Sequence, residues 1–414
     1  MKSIFLHVKW FLYNIITIII GVFIRRDKCI WLFGAWMGER YADNPRALYQ
    51  YLHFNKEQYN IKKVIWITDS IDIQKELCNA GFECYIRKSF KGIYYHFKAG
   101  IHVICNMYDN INGYRGDILG RLSYGAVKVQ LWHGVGIKAV SNMRNSYSRR
   151  KSSYIKNFLR KFFDKGIFSP GGWNTCFWLA CGTENRRVLR LDHGIDDEKR
   201  VINSTYPRFL ESLYVLDTEL VMLSKIEEER KKGKKIIAYI PTFRNDYSQY
   251  IYPTDIEGFQ LFIEKNNIVW MEKRHLVAHE QRNEVVCSNM LHLPSEFDIN
   301  IILNQIDLLI SDYSSVITDA VKWNIKTLNY IPDFVKYRDE DRGFVADYDL
   351  YNPGWKVYDS GKLLETISRA LENDYFDKKT EDYYKKTYEE LIGVENFSYE
   401  SLMNSIFNKI KENN

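Results

Sequence analysis

Short apolar runs that end in polar turns alternate along this chain with stretches whose apolar positions recur at helical spacing. CIWLFGAW (29–36), KKVIWIT (62–68), FECYI (82–86), IHVICN (101–106), AVKVQLWH (126–133) and CFWLACG (176–182) read as strands. NPRALYQYLHF and SIDIQKELCNAG, which fill two of the gaps, read as helices. The charged stretch SKIEEERKKGKK (224–235) interrupts the alternation. It resumes with KIIAYIPTFR (235–244), NIVWMEKRH (267–275) and IDLLISDYSS (306–315). Alternation of this kind predicts α/β architecture with mostly parallel, doubly wound sheets, here two Rossmann-type domains facing a central cleft. The expected divisions are a membrane-associating segment (1–28), an amino-terminal domain (29–223), a charged linker (224–234), a carboxyl-terminal domain (235–374) and a helical tail (375–414). Ligands of such folds sit at the carboxyl ends of the strands.

The amino terminus breaks the pattern. WFLYNIITIIIGVFI (10–24) is apolar, with Lys2 and Lys9 before it and Arg25, Arg26 and Lys28 after it. A spanning helix needs about 20 apolar residues, and basic flanks on both sides give no inside-outside bias. An in-plane or re-entrant anchor is therefore expected ahead of a short spanning helix or a buried one. RRKSSYIKNFLRKFFDKGIF (149–168) is a second candidate, with a surface helix of the first domain bearing a solvated basic face as the alternative: Ile155, Phe158, Leu159, Phe162 and Phe163 share one helical face, mostly opposite Lys156, Arg160, Lys161 and Lys165. Two weak anchors together predict a peripheral membrane protein, and the membrane surface is an expected partner.

Composition narrows the class. With 414 residues, 46% hydrophobic and 27% charged, the chain buries a substantial core and is neither disordered nor fibrous. The net charge of +6 fits an anionic substrate or membrane surface, and no DNA- or RNA-binding signature accompanies it, so nucleic acid is not an expected partner. Seven scattered cysteines show no CxxC and no zinc spacing, which points to reduced thiols in the cytosol and no metal site of that kind. Oligomeric state is not legible.

Candidate chemistry lies at the strand ends. In VQLWHGVGIK, His133 follows a strand and precedes glycines that let backbone approach a ligand; an imidazole titrating near neutrality suits removal of a hydroxyl proton. IAYIPTFRND ends in Thr242 and Arg244, a hydroxyl and a guanidinium suited to phosphate oxygens. Lys273, Arg274 and His275 end the next strand, three potential cations for a pyrophosphate. LLISDYSSVITDA (308–320) places Ser311, Asp312, Ser314 and Ser315 at a turn opening a helix, where backbone N–H groups and hydroxyls would cradle a diphosphate. Capping alone would explain one or two of these. Asp319 lies one turn beyond Ser315, placed to hold a ligand hydroxyl.

Together LFGAWMGERYADNPRALYQYL, QLWHGVGIK, STYPRFL, YIPTFR, KRH, LISDYSSVITDA and RGFVADYDLYNPG resemble the CDP-glycerol glycerophosphotransferase family, which builds teichoic acids and some capsular polymers. The resemblance implies a GT-B fold with the acceptor on the first domain and the CDP-alcohol donor on the second. Transfer would run from CDP-glycerol, or a related CDP-polyol, to a hydroxyl of a lipid-linked or polymeric acceptor at the cytoplasmic face of the plasma membrane. It also implies His133 as base and His275 as the second functional histidine, with Arg244, Thr242, Ser311, Ser314, Ser315 and Asp319 on donor motifs. Gly134, Lys138, Arg208, Lys273 and Asp312 complete the expected substrate site. Val135 and Gly136 stand where the family commonly has Thr and Pro, and Leu276 follows His275 in place of Pro, which leaves His279 as an alternative partner. Of TYPRFL, only Pro207 and Arg208 keep the family pattern. No cofactor beyond the donor is implied, and the Asp347/Asp349 pair falls within the family's own pattern rather than a metal motif. A nucleotide-sugar glycosyltransferase of the same fold is the alternative.

Overall fold

The computed structural model describes residues 2–106, 115–140, 143, 176–210, 214–242, 244, 247, 250–273, 287–372, 375–393 and 398–412, with side chains described from residue 11 onward. The basic segment at 149–168 and residues 274–286, which include Arg274, His275 and His279, lie outside the described residues.

Two parallel sheets carry the fold. The first contains β1 (Asp27–Phe33), β2 (Lys63–Thr68), β3 (Cys84–Ile86), β4 (Ala99–Ile104), β5 (Val127–Gln130), β6 (Phe177–Ala180) and β7 (Val201–Asn203), in the order β3-β2-β1-β4-β5-β6-β7. The second contains β8 (Lys235–Tyr239), β9 (Ile268–Lys273), β10 (Met290–Leu293), β11 (Leu308–Ser311), β12 (Lys326–Tyr330) and β13 (Trp355–Val357), ordered β10-β9-β8-β11-β12-β13. Both sheets reverse their winding beside their first strand, between β1 and β4 and between β8 and β11, which opens a crevice at the carboxyl ends there. Helices cover both faces, so central strands are apolar throughout rather than alternating: Trp31, Leu32 and Phe33 on β1 are all fully buried.

The strands stop earlier than their apolar runs, because the residues beyond them bend into the cleft. β5 ends at Gln130 and β8 at Tyr239, which frees Trp132, His133, Thr242 and Arg244 for loops. The stretch expected as a linker is mostly helical: the helix Asp217–Lys231 includes residues 224–231 and buries Ile226. Its Glu, Lys and Arg residues are good helix formers once one apolar side is covered.

Backbone joins the two lobes at the floor of the cleft. Val345 N–H donates to Ile137 O at 2.6 Å and Ala139 N–H to Gly343 O at 3.0 Å. The carboxyl-terminal helix Tyr399–Glu412 returns to the first lobe, where Tyr399 stacks on Tyr51 with ring centroids 4.2 Å apart and Phe407 meets Trp31.

The amino-terminal helix Lys2–Phe23 is inverted relative to an ordinary surface helix. Asn14 and Thr17 are buried against the domain, whereas Leu12, Ile16, Ile19 and Phe23 are 53%, 55%, 52% and 84% exposed. Among the described residues, no helix is long and apolar enough to cross a membrane.

Candidate functional site

His133 stands on the loop after β5, with its ring between Trp132 and Trp36 (centroids 4.2 and 5.2 Å away). Its Nδ1 lies 3.0 Å from Cys105 O. A carbonyl only accepts, so Nδ1 carries the proton and Nε2 keeps the lone pair that a base needs. Burial holds the imidazole below its usual range, partly opposed by the nearby Asp43 carboxylate. Trp132 reaches this position through a left-handed backbone, φ 56°.

The next residue closes the cleft. A Cβ on Gly134 would lie 2.3 Å from Ser315 Oγ and 2.7 Å from Ser315 Cβ, so the His133 turn and the serine turn of the opposite lobe touch, and only glycine fits. Thr318 Oγ1 donates to Val135 O across the same junction at 2.8 Å. Arg208 ties it together: one Nη donates to His133 O at 2.9 Å and to Asp43 Oδ1, and the other to Asp319 Oδ1 at 2.6 Å. Asp319, expected to hold a ligand hydroxyl, instead forms this buried ion pair between lobes. Burial raises its pKa to about 6 against the pull of Arg208.

The serine turn divides into a scaffold and an open edge. Ser311 donates to Ile240 O, and Asp312 accepts from the Thr242 and Tyr313 N–H groups. Arg244, 1% exposed, is gripped by Asp312 at 2.8 Å and by both oxygens of Asp333, so its guanidinium braces the turn from behind. Ser314 and Ser315 are half-buried at the edge. Ser315 occupies the N-cap position of the helix Val316–Lys322 without making a side-chain cap bond, so capping does not account for its hydroxyl. The Thr242 Oγ1 is buried and has no hydrogen-bond partner.

One lysine flanks this edge and another stands at the end of β9, toward Arg40. Lys138 pairs by backbone with Phe344, and burial, helped by Arg342, pushes its ammonium down to about 7. Lys273, at the end of β9, donates to Phe297 O and is likewise brought down to about 7, by burial and then by Arg40. Asp347 caps the helix Tyr348–Tyr351, and Asp349 Oδ1 pairs with Lys356 at 3.0 Å. Among the described residues, no cluster has the makings of a metal site.

Sequence reasoning passed over Arg40, Asp43 and Asp298. Asp43 holds a left-handed backbone (φ 70°), donates its N–H to Asp298 Oδ2 of the opposite lobe at 2.9 Å, and accepts from Trp36 Nε1 at 3.1 Å. The run of Trp36, Met37, Gly38 and Asp43 at positive φ comes from tertiary contacts; GERYADNP gives no local sign of it beyond Gly38.

Comparison with known proteins bears on the whole arrangement. A family model described as CDP-Glycerol:Poly(glycerophosphate) glycerophosphotransferase matches residues 16–395. The teichoic acid poly(glycerol phosphate) polymerase of Bacillus spizizenii is 28% identical over 408 residues, covering 92% of this chain and 96% of that protein. The polymerase of the same description from Bacillus subtilis is 26% identical over 356 residues, 83% of this chain but 44% of that longer protein. A solved wall teichoic acid polymerase, TagF, superimposes with a TM-score of 0.71 at 19% identity, covering 100% of this chain and 98% of that one; at that identity the likeness is one of fold.

Proposed function

Because this chain belongs to the CDP-glycerol:poly(glycerophosphate) glycerophosphotransferase family, we propose that it moves glycerol phosphate, or a related polyol phosphate, from CDP-glycerol to a hydroxyl of a membrane-linked acceptor in teichoic acid or capsule synthesis. The observation that carries the site assignment is the contact of Gly134 with Ser315, which brings the imidazole turn of one lobe against the hydroxyl turn of the other.

His133 Nε2 takes the acceptor proton as the acceptor oxygen bonds to the β-phosphorus. The bond from that phosphorus to the bridging oxygen breaks, and CMP departs with the electron pair. The donor diphosphate rests on Ser314, Ser315 and the Lys138 ammonium, with Thr242, Arg244, Ser311 and Asp312 fixing the shape of the turn. Phosphoryl transfer of this kind depends on alignment and charge stabilisation more than on covalent chemistry by the protein. The family pattern assigns His275 to the same donor side. CMP release from CDP-glycerol with a polyol-phosphate acceptor tests the function, and its loss in folded His133→Ala tests the base; near-normal turnover there would refute that role.

The amino-terminal helix is the proposed membrane contact, at the inner face of the plasma membrane. Its polar residues face the protein and its isoleucines face outward, which suits an apolar interface and not water. Ile16→Glu with Ile19→Glu is expected to abolish flotation with anionic liposomes; unchanged flotation would remove the assignment.

A further inference from the structure

Among the described residues five arginines are buried: Arg40, Arg46, Arg87, Arg208 and Arg244. Four are matched to carboxylates: Arg46 to Glu219 at 2.6 Å, Arg87 to Asp69, Arg208 to Asp43 and Asp319, and Arg244 to Asp312 and Asp333. Arg40 is not. It is 8% exposed, its Nε has no hydrogen-bond partner, and its carbon Cζ sits 4.8 Å above the Trp36 ring. Carboxylates do surround it, namely Asp298, Asp43, Glu296 and Glu39, but none forms an ion pair with it. Those of Asp43 and Asp298 are already engaged, by Arg208 and Trp36 in one case and by Asp43 N–H and Asn300 in the other. From the opposite lobe Lys273 faces it and repels it. A guanidinium only 8% exposed beside a second cation, its Nε shut from water and its fork without a protein partner, is costly unless an anion arrives. Its planar pair of N–H donors matches a phosphate.

The order of contacts says which phosphate. Arg40 lies on Trp36, Trp36 on His133, and Gly134, the residue after His133, on Ser315. The imidazole thus separates Arg40 from the serine turn that holds the donor diphosphate. An anion at Arg40 belongs to the other reactant, the molecule whose hydroxyl the imidazole deprotonates. Trp36 is common to both, its ring 5.2 Å from the imidazole and 4.8 Å from Arg40 Cζ, which keeps the two groups within the compass of one short polyol phosphate.

We propose that Arg40, with Lys273 facing it, binds a phosphodiester of the acceptor one polyol unit back from the attacking hydroxyl, so that the enzyme extends chain ends already carrying polyol phosphate rather than neutral glycans. This rests on the transferase reading above. It makes Arg40 a residue that selects the acceptor without taking part in proton transfer.

The test compares two synthetic lipid-linked acceptors that differ only in whether one glycerol phosphate unit is already attached. Wild type is expected to prefer the phosphorylated acceptor in kcat/KM by on the order of 30-fold or more. Arg40→Gln is expected to erase that preference through acceptor KM while the KM for CDP-glycerol stays within about twofold, and Arg40→Lys to restore part of it. Melting measured alongside is expected to show Arg40→Gln no less stable than wild type, since it removes an unmatched buried charge. Millimolar glycerol 3-phosphate is expected to raise the Tm of wild type but not of Arg40→Gln. Equal use of both acceptors by active wild type, a preference retained in Arg40→Gln, or a rise in donor KM instead would each overturn the proposal. Absence of CMP release by wild type with either acceptor would reject the transferase reading itself.

Discussion

Gly134→Ala is the sharpest probe of the cleft. The added methyl would stand 2.3 Å from Ser315 Oγ, 2.7 Å from Ser315 Cβ and 3.5 Å from Arg208 Nη2. Carbon rarely approaches closer than about 3.4 Å, so relief requires the lobes to part by about 1 Å at this point. The backbone, at φ 153°, adds strain of about 1 kcal/mol for any residue with a Cβ. A displacement of that size between the base and the donor phosphates lowers kcat by roughly 100-fold, or about 2.7 kcal/mol. The assay is CMP release at saturating CDP-glycerol and acceptor, with CD and Tm confirming the fold. Ser315→Gly alone loses a donor hydroxyl and is slower than wild type, yet it also empties the space the new methyl needs. Combined with Gly134→Ala it should therefore lose less than the two single losses multiplied, a coupling of at least about 0.5 kcal/mol. Gly134→Ala within threefold of wild type, or a double variant whose losses simply multiply, would refute the close approach of the two turns.

Arg208→Ala leaves the Asp43 and Asp319 carboxylates buried without their shared cation; about 3–5 kcal/mol of stability is expected to go, read as a drop in Tm and in the urea midpoint. Arg244→Gln, which strands Asp312 and Asp333, is expected to lower Tm by a similar free energy before it alters donor KM, the reverse of what a direct phosphate ligand would do. Burial keeps His133 neutral to lower pH than an exposed imidazole, so the acid limb of kcat/KM should lie below pH 6.5. Asp43→Asn, removing the charge that favours the imidazolium, should move that limb lower still. Lys138 sits near 7, its charged form is the one that attracts the diphosphate, and protons leave it as pH rises; donor affinity should fall by up to about tenfold per pH unit above neutrality, and Lys138→Met should flatten the dependence.

What the sequence discloses is local. Strands β1, β2, β4, β8, β9 and β11 are marked by apolar runs, and the turns after β5, β8 and β11 are marked by Gly, Pro and Ser, so the position of His133 and the serine turn at strand ends could be read directly. Strands β7, β10, β12 and β13 left no separate signal, because polar residues such as Asn203, His292, Thr327, Asn329 and Lys356 break up their apolar positions. Pairings across the cleft could not be read: Asp43 meets Asp298, and Arg208 meets Asp319, over separations that no spacing rule encodes. For the same reason Arg244, Asp312 and Asp319 looked like ligand groups, whereas the structure matches each to an opposite charge. Arg40 drew no notice because a lone arginine in a loop is ordinary until its burial and lack of partners are known.

The return of the Tyr399–Glu412 helix to the first lobe bears on how this protein comes into being. Trp31, on the very first strand, is covered in part by Phe407, and Tyr51 by Tyr399, so the earliest-made sheet keeps an uncovered side while the second lobe is still emerging from the ribosome. That side of the nascent first lobe is sealed only once residues 399–407 have been made, so it is the surface on which a chaperone shielding the growing chain would act.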